Sequence, residues 1–343
     1  MAATKLPENS QAPPAQPSAF ILGLPKAELH LHLEGAIAPE TVIELARNHG
    51  RKLALEDVRK LYHYTDFTGF LLCFRDVTKD LSTPEDYELI TYRLLQQLAA
   101  ENVKHAEVYV SVGVCIAWKR DFGQIFAGLE RGRIHGERDF GVSLYWIFDA
   151  VRQFGPEQAM RVAQCAVELQ PHGSVVGIGI GGDERLAGPE LFTEVYEFAA
   201  GHGLRLTCHA GEAAGPESVW TALQQLKTER IGHGLTAWQD RELLAHLAET
   251  QVPLEVCVSS NVRTGCIQEL KHHPLKTYFD LGLLVTLNSD DPAMFGTTLA
   301  REYQLAQDTF GFSDEQLKQL ARNSFRASFL PEEKKREYLA LLG

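Results

Sequence analysis

The stretch PKAELHLHLEGA, residues 25–36, places two histidines two positions apart near the end of an apolar run. Side chains at positions i and i+2 of a β-strand point to the same side, so His30 and His32 would face the same way. If that side is the interior of a barrel, two imidazoles converge at its rim, which suits Zn²⁺ or a similar ion. A His-x-His pair alone is a weak signal of a metal site, so the rest of the chain has to show whether further ligands accompany it.

Short apolar, β-rich runs alternate along the chain with segments long enough for a helix. Such alternation predicts a parallel sheet, and strands that are apolar along their whole length are expected where both faces are covered. Eight such units predict an α/β fold of the (β/α)8 TIM barrel type. The predicted strands are Glu28–Leu33, Ala106–Val112, Val142–Phe148, Val175–Ile180, Arg205–His209, Arg230–Gly232, Leu254–Val258 and Leu284–Leu287.

The chain has 343 residues, which a single α/β barrel can account for. Residues 1–19 hold four prolines and no long apolar segment, so they are predicted to form a disordered tail ahead of one domain, residues 20–343. The stretch Pro39–Asp80 is too long for one crossover helix. Its aromatic and apolar residues at helical spacing predict a helix that either packs in the core or forms a lid over the barrel mouth. These residues are Phe67, Phe70, Leu71 and Phe74.

The overall composition excludes several classes of partner. A net charge of −12 opposes non-specific binding to nucleic acid or to an anionic membrane, but it permits a small neutral ligand. No run of 18 apolar residues is present, so no membrane span is predicted. The six cysteines form no Cys-x-x-Cys pair, which indicates reduced thiols in a cytoplasmic protein.

Polar residues also follow three later predicted strands. The fifth strand leads into His209 and Glu212, the sixth into His233, and the eighth into Asp290 and Asp291. Each has an ordinary alternative explanation as a buried histidine, a turn residue or a helix cap. The carboxyl ends of barrel strands meet at one site, however, so titratable residues at the ends of four strands together favour a functional site.

The charges of these side chains suggest a role for each of them. Three neutral imidazoles and one carboxylate leave a divalent ion with a net charge near +1 and room for a water, whose pKa falls from 15.7 toward about 7. His233 is then free to accept the proton of that water, and Glu212 is the natural proton donor to a substrate. Asp291 is placed to orient the substrate or to assist the water. The four predicted metal ligands are His30, His32, His209 and Asp290.

These motifs resemble the adenosine deaminase family of the amidohydrolase superfamily. The resemblance runs from Leu24 to about Leu342 in the order of the family's motifs. The stretches that carry it are PKAELHLHLEGA (25–36), HAGE (209–212), RIGHG (230–234), SNVRTG (260–265), LNSDDP (287–292) and SFLP (328–331).

The resemblance implies hydrolytic deamination of a 6-aminopurine to the 6-oxo purine and ammonia. It assigns one Zn²⁺, with Fe, Mn or Co as alternatives, to the four ligands named above. Glu212 would protonate purine N1, and a metal-activated water would attack C6 with His233 as base. Asp291 would bind N7, and the backbone N–H of Gly182 would donate to N3. These roles place donors and positive charge where the transition state needs them.

Some residues depart from the animal-type family pattern. Glu34 replaces an aspartate that contacts the ribose 5′-hydroxyl, and Gly179 replaces another aspartate, which removes bulk and a charge. Tyr109 lies near the position of an arginine, and Val258 stands where proline is common. These departures leave the predicted deamination residues intact and concern the far end of the nucleoside.

Three purine substrates remain possible. Adenosine or 2′-deoxyadenosine is the main prediction, and the alternative is 6-amino-6-deoxyfutalosine, an intermediate of menaquinone synthesis with a large keto-aryl group at the 5′ carbon. Free adenine is less favoured, because residues 181–184 and 261–265 resemble the nucleoside deaminases more closely.

Two other classes of protein are also compatible with a His-x-His barrel. Other amidohydrolases commonly use a carbamylated lysine between two metals, but no lysine ends a predicted strand here. A non-catalytic nucleoside-binding barrel would be expected to lack a ligand or a base, and none is missing. The number of metal ions per chain distinguishes the three classes, while the sequence leaves the oligomeric state open.

Overall fold

Eight parallel strands pair in chain order, from β1 to β8, in the computed structural model of the chain. The structure describes residues 16–64, 67–172 and 174–343, the side chains of residues 67, 68, 71 and 172 excepted. The TIM barrel prediction is confirmed, and every predicted strand is present with ends shifted by three residues or fewer. The strands are β1 Lys26–His32, β2 Val103–Val110, β3 Ser143–Val151, β4 Val175–Gly181, β5 Arg205–Ala210, β6 Arg230–His233, β7 Leu254–Val256 and β8 Val285–Leu287.

Helices surround the strands. Among the described residues they are α1 Ala19–Gly23, α2 Pro39–Asn48, α3 Leu55–Leu61, α4 Phe67–Thr78, α5 Pro84–Ala100, α6 Val112–Ala117, α7 Phe122–Phe140, α8 Gly155–Leu169, α9 Thr193–Gly201, α10 Pro216–Gln224, α11 Arg241–Thr250, α12 Val258–Arg263, α13 Leu275–Asp280, α14 Pro292–Phe295, α15 Leu299–Phe310, α16 Asp314–Ala327 and α17 Glu332–Ala340. Short 3-10 helices lie at Glu34–Ala36, Arg152–Phe154, Gln170–His172, Pro189–Phe192, Leu235–Gln239 and Leu270–His272.

Residues that directly follow β8 connect this last strand to β1. Asn288 accepts backbone hydrogen bonds at Oδ1 from Leu29 (2.9 Å) and His30 (3.1 Å). The backbone of Asp290 then donates to the carbonyl of His30 (3.1 Å) and accepts from the N–H of His32 (2.8 Å). The polar segment after β8 therefore brings the first and last strands together, and it does so at the His-x-His pair.

A chain of charged side chains fills part of the barrel interior. Arg230 forms buried ion pairs with Glu107 and with Glu255, the latter at 2.5 Å. Burial alone would raise the pKa of Glu107, but the charge of Arg230 lowers it to about 2, so this carboxylate stays ionised. The chain continues from Glu107 to His105 (3.2 Å) and from Glu255 to His30 (2.8 Å). It thus links the lower barrel to the predicted site.

The predicted apolar helix between β1 and β2 is confirmed as α4. Its Phe70 ring stacks on Phe295 of α14, with ring centroids 5.3 Å apart. Cys73 and Val77 of the same helix are buried, and Phe67 and Leu71 lie outside the described side chains. Helix α4 therefore packs as part of the core, at the end of the barrel where β8 leads into α14.

The amino-terminal boundary differs from the prediction. Residues 1–15 of the predicted tail lie outside the described residues, but α1 already begins at Ala19. Ser18 caps this helix by accepting from the N–H of Ile21 (3.3 Å), and its own N–H donates to Gln304 (2.9 Å). The predicted tail therefore extends too far, because a serine cap signal lies inside it.

Two predictions about composition can be compared with the structure. No helix in the described part of the chain is long and apolar enough to cross a membrane. The cysteines are all unpaired, as expected for reduced thiols.

Asn288→Ala should destabilise the barrel, because two buried backbone N–H groups of β1 lose their acceptor. We expect a loss of roughly 2–5 kcal/mol in the free energy of unfolding, measured by urea denaturation. Asn323→Ala is the matched control, since this buried asparagine donates to one carbonyl of β8 and accepts from no backbone N–H of β1. Equal losses in the two variants would contradict a special role for Asn288 in closure.

Candidate active site

Four histidines and one aspartate converge at the carboxyl ends of β1, β5, β6 and β8. His32 Nε2 lies 3.3 Å from His209 Nε2 and 3.3 Å from Asp290 Oδ1, and His30 Nε2 lies 3.6 Å from the same oxygen. Ligand atoms of His30, His209, His233 and Asp290 all lie within 4.8 Å of one another. The structure therefore brings together all four residues that the sequence predicted as metal ligands, with His233 beside them.

The spacing of these atoms fits a metal ion. Tetrahedral zinc with ligands at 2.0–2.1 Å separates neighbouring ligand atoms by about 3.3 Å. Burial lowers the pKa of His32 to about 4, so its imidazole is neutral, as a ligand must be. Although burial would lower the pKa of His30, the carboxylates of Asp290 and Glu255 raise it to about 10. This local excess of negative charge is what a bound cation would neutralise.

Two residues of the cluster have a backbone conformation that is rare outside glycine. His233 has φ 63° and Asp290 has φ 64°, both in the left-handed region. Each such residue costs roughly 1–3 kcal/mol and persists only where the surrounding contacts hold it. At both positions the strained turn directs a side chain into the cluster, which supports a functional role.

The second coordination layer was not predicted from the sequence. His30 Nδ1 lies 2.8 Å from Glu255 Oε2, and the hydroxyl of Tyr109 donates to the same oxygen at 3.2 Å. A carboxylate on Nδ1 fixes the imidazole so that Nε2 faces the metal position. Glu255 lies within a short, fully buried strand, where an apolar residue is the usual occupant, so no local signal identified it.

Of the three predicted catalytic side chains, His233 belongs to the cluster, and Glu212 and Asp291 lie beside it. Glu212 Oε2 lies 3.7 Å from His233 Nε2, and burial raises the pKa of Glu212. Burial and the neighbouring charge of Asp290 also raise the pKa of Asp291. Burial acts in the same direction on Asp290, but its hydrogen bond with His30 outweighs burial and keeps the pKa of Asp290 well below its usual value. Adjacent carboxyl groups thus favour different protonation states, a common property of acid–base sites.

Glu184 organises the loop that carries Glu212. Its two carboxylate oxygens accept backbone N–H groups from four successive residues at 2.8–3.1 Å, and Oε1 also accepts from the Ser218 hydroxyl at 2.7 Å. The four N–H donors are Gly211, Glu212, Ala213 and Ala214. In the sequence, Glu184 belongs to residues 181–184, and nothing local shows that it reaches a loop 27 residues further on.

The two predicted substrate-binding positions outside the cluster lie at the same end of the barrel. Glu34 is buried, and its Oε1 accepts from the N–H of Ser111 at 3.1 Å while Oε2 has no partner among the described residues. Burial raises the pKa of Glu34. Gly182 has φ 96°, and a Cβ there would lie 2.2 Å from Gln153 Oε1, so the loop after β4 requires glycine.

The absence of a side chain at Gly179 leaves no open space. A Cβ at Gly179 would lie 2.6 Å from the ring of Tyr109 and 3.0 Å from Asp149 Oδ1. The tyrosine therefore occupies the space, and the carboxyl group of Asp149, from β3, lies beside it. Burial raises the pKa of Asp149 to about 8, so this carboxyl group favours the uncharged form at neutral pH.

The sequence profile of the adenosine deaminase family matches residues 25–342. The chain belongs to the adenosine deaminase family. This family member is 41% identical over 317 residues to a protein of Streptomyces coelicolor named aminodeoxyfutalosine deaminase, covering 91% of this chain and 82% of the relative.

Two solved structures are similar over most of this family member. Adenine deaminase from Arthrobacter aurescens has a TM-score of 0.88 and 34% identity, with 93% of this chain and 98% of that chain covered. An amidohydrolase from Burkholderia ambifaria with bound Zn has a TM-score of 0.86 and 27% identity, with coverage of 98% and 94%. The predicted family is therefore confirmed, and its members use more than one purine substrate.

Glu184→Gln should impair both stability and turnover, because an amide NH₂ would replace one of the two acceptor oxygens in the loop. We expect a loss of about 1–3 kcal/mol in unfolding free energy and a lower kcat with the metal content unchanged. Glu197→Gln, on the exposed face of α9, is the control and should match the unsubstituted protein. A Glu184→Gln variant with unchanged melting and kcat would show that the carboxylate does not hold the loop.

Proposed function

We propose that this enzyme deaminates a 6-aminopurine nucleoside with a large 5′ substituent, of the aminodeoxyfutalosine class. The observation that carries this choice is the 41% identity, over 91% of the chain, to a protein named for that substrate. The replacement of the family's aspartate by the longer Glu34, at the end of the site expected to hold the 5′ group, agrees with it. The preference for adenosine from the sequence has no such support from the relatives reported above.

We propose Zn²⁺ as the ion, held by His30, His32, His209 and Asp290. The support is the spacing of their ligand atoms and the bound Zn in a neighbouring structure with a TM-score of 0.86. When bound, such an ion lowers the pKa of a water toward about 7. The rest of the chemistry is assigned to side chains of the protein.

Glu212 and Asp291 act on the purine ring. The raised pKa of Glu212 keeps a proton available for ring nitrogen N1, and protonation there makes C6 electrophilic. Asp291, whose pKa is also raised, donates to N7 in its protonated form. Together the two groups draw electron density from C6. His233 accepts a proton from the water that adds to C6 and passes it to the amino group, which leaves as ammonia, while the carboxylate of Glu212 takes back a proton from the new hydroxyl as the 6-oxo group forms.

Free adenine is a second candidate substrate. The structural neighbour with 34% identity and a TM-score of 0.88 is named adenine deaminase. Adenine lacks ribose and would make no contact with Glu34, whereas residues 181–184 and 261–265 resemble nucleoside deaminases. The choice between the two depends on whether the far end of the site is filled by the substrate.

The substrate class is tested by comparing kcat/KM for 6-amino-6-deoxyfutalosine, adenosine, 2′-deoxyadenosine and adenine, from loss of the aminopurine absorbance. We expect 6-amino-6-deoxyfutalosine to exceed the others by at least about tenfold, which corresponds to about 1.4 kcal/mol of transition-state binding. Glu34→Asp should reduce this preference in favour of adenosine. Adenine as the best substrate would refute a nucleoside with a large 5′ group.

The assigned roles predict different effects of two substitutions on metal content. Glu212→Gln should retain one metal ion per chain and lose about 10²–10⁴-fold in kcat, because the amide cannot donate the required proton. His30→Ala should lose metal and activity together. Metal is measured by elemental analysis, with the exposed Glu249→Gln as control. Two ions per chain would indicate a bridged hydrolase, and none would indicate a non-catalytic barrel.

A further inference from the structure

A cation at the mouth of the barrel pairs with no carboxylate in the described part of the chain. Arg263, the last residue of α12, is half-buried, and its Nε is buried without a hydrogen-bond partner among the described residues. Its guanidinium carbon lies over the ring of Tyr64, 4.8 Å from the ring centroid. Such a cation–π contact holds a guanidinium in place while its edge can still donate hydrogen bonds. The function proposed above gives Arg263 no role.

Tyr64 is itself fixed at the edge of the site. Its hydroxyl donates at 2.8 Å to a backbone carbonyl of α14, the short helix that begins directly after Asp291. Its ring meets the edge of Phe70, with centroids 5.8 Å apart, and Phe70 stacks on Phe295 of α14. We call Tyr64, Phe70 and Phe295 the aromatic platform. The guanidinium thus rests on a platform that borders the residue assigned to purine N7.

Electrostatic effects place Arg263 and Asp291 near the same side chains. Burial raises the pKa of Tyr64, the charge of Arg263 opposes this effect, and the charge of Asp291 adds to it. Burial also raises the pKa of Cys73 to about 12, again with Asp291 adding to the effect and Arg263 opposing it. Arg263 and Asp291 therefore lie on the same side of the barrel mouth.

The 5′ end of the proposed substrate would lie on this side as well. The 3-10 turn that begins at Glu34 packs directly against Asp291, because a Cβ on Gly35 would overlap with Asp291 Oδ1. Helix α14 then leads from Asp291 to the aromatic platform. A substituent on the 5′ carbon that leaves the site past Glu34 therefore meets the aromatic platform, on which Arg263 is stacked.

The charges around the site restrict where an anion can bind. Glu34, Glu212 and Asp291 border the proposed substrate position, and the chain has a net charge of −12, so an anion meets repulsion over most of the site. Arg263 offers a positive charge that no described carboxylate neutralises. A guanidinium binds a carboxylate or a phosphate through two parallel N–H bonds, which are among the stronger hydrogen bonds in proteins.

We propose that Arg263 binds an anionic group, a carboxylate or a phosphate, carried by the 5′ substituent of the substrate. This inference rests on the proposed function, and it adds a requirement for charge to the requirement for size. 6-Amino-6-deoxyfutalosine meets both, because its keto-aryl arm ends in a carboxylate and its ring can pack on the aromatic platform. AMP carries an anion at the 5′ position without an aryl group, so the two sources of the anion can be separated.

The test compares 6-amino-6-deoxyfutalosine with its methyl ester, which keeps the shape of the 5′ arm and removes its charge. For the wild-type enzyme with its metal, we expect kcat/KM to be about 10–100-fold higher for the acid than for the ester. Arg263→Gln should lower this ratio to about 1 through KM, with kcat unchanged, because a contact remote from C6 is equally strong in the ground and transition states. Arg263→Lys should restore part of the ratio. The same acid-to-ester ratio in the wild type and in Arg263→Gln would overturn the proposal.

Arg185→Gln is the matched control. It removes the same charge from the same end of the barrel, in the loop after β4, but Arg185 is exposed and already pairs with Asp183 at 2.7 Å. Its acid-to-ester ratio should equal that of the wild type. Equal falls in the two variants would indicate a general effect of charge at the barrel mouth and would contradict a specific site at Arg263.

Two further measurements separate this inference from the proposed substrate. The 6-oxo product with the same 5′ arm should inhibit Arg263→Gln about 10–100-fold more weakly than the wild type, at equal melting temperature, which shows binding without turnover. If AMP were the best substrate and Arg263→Gln removed its advantage over adenosine, the anion site would stand with phosphate as its ligand, while the aminodeoxyfutalosine class would be wrong. If neither anionic nucleoside lost its advantage over its neutral counterpart in Arg263→Gln, the anion site would be refuted whichever purine is preferred.

Discussion

The contact between the end of β8 and β1 is the constraint on which the site depends. Asp290 donates from its backbone to His30 and accepts from His32, so the residue that joins the ends of the barrel also presents its carboxylate to both imidazoles. Its left-handed backbone, at φ 64°, is held by these hydrogen bonds. The separations of 3.3 and 3.6 Å between ligand atoms are therefore set by the fold, and a metal ion meets a preformed site.

The interior below this junction supports the same residues. The chain His105–Glu107–Arg230–Glu255–His30 buries two carboxylates, a guanidinium and two imidazoles with partners on each link. Buried charges are tolerated when they are paired and hydrogen-bonded, and removing one partner leaves an expensive unpaired charge. This chain supports the site at His30. A second buried set of contacts supports it at His233, where Asn261 Nδ2 lies 3.1 Å from His233 Nδ1 and His273 Nε2 lies 3.1 Å from Asn261 Oδ1.

The sequence predicted the barrel and the cluster because both depend on local signals that a barrel brings together. Apolar runs identify strands, and polar residues that directly follow them, such as His209 and Asp290, must meet at one end. Residues that act across long separations left no such signal: Glu184 reaches the loop of Glu212, and Glu255 lies within a buried strand. The surroundings of Gly179 left no local signal for the same reason, since the side chains of Tyr109 and Asp149 that fill them come from other strands.

The two ends of the site are built from different structural elements, and this difference bears on how one family deaminates different purines. The deamination centre consists of strand ends joined by backbone hydrogen bonds and buried ion pairs, where small displacements are costly. The end proposed to hold the 5′ group consists of the 3-10 turn with Glu34, helix α4 and helix α14, and the two helices pack on each other through Phe70 and Phe295. For the proposed function, this arrangement lets the 5′ end of the substrate vary while the residues assigned to the chemistry at C6 stay the same.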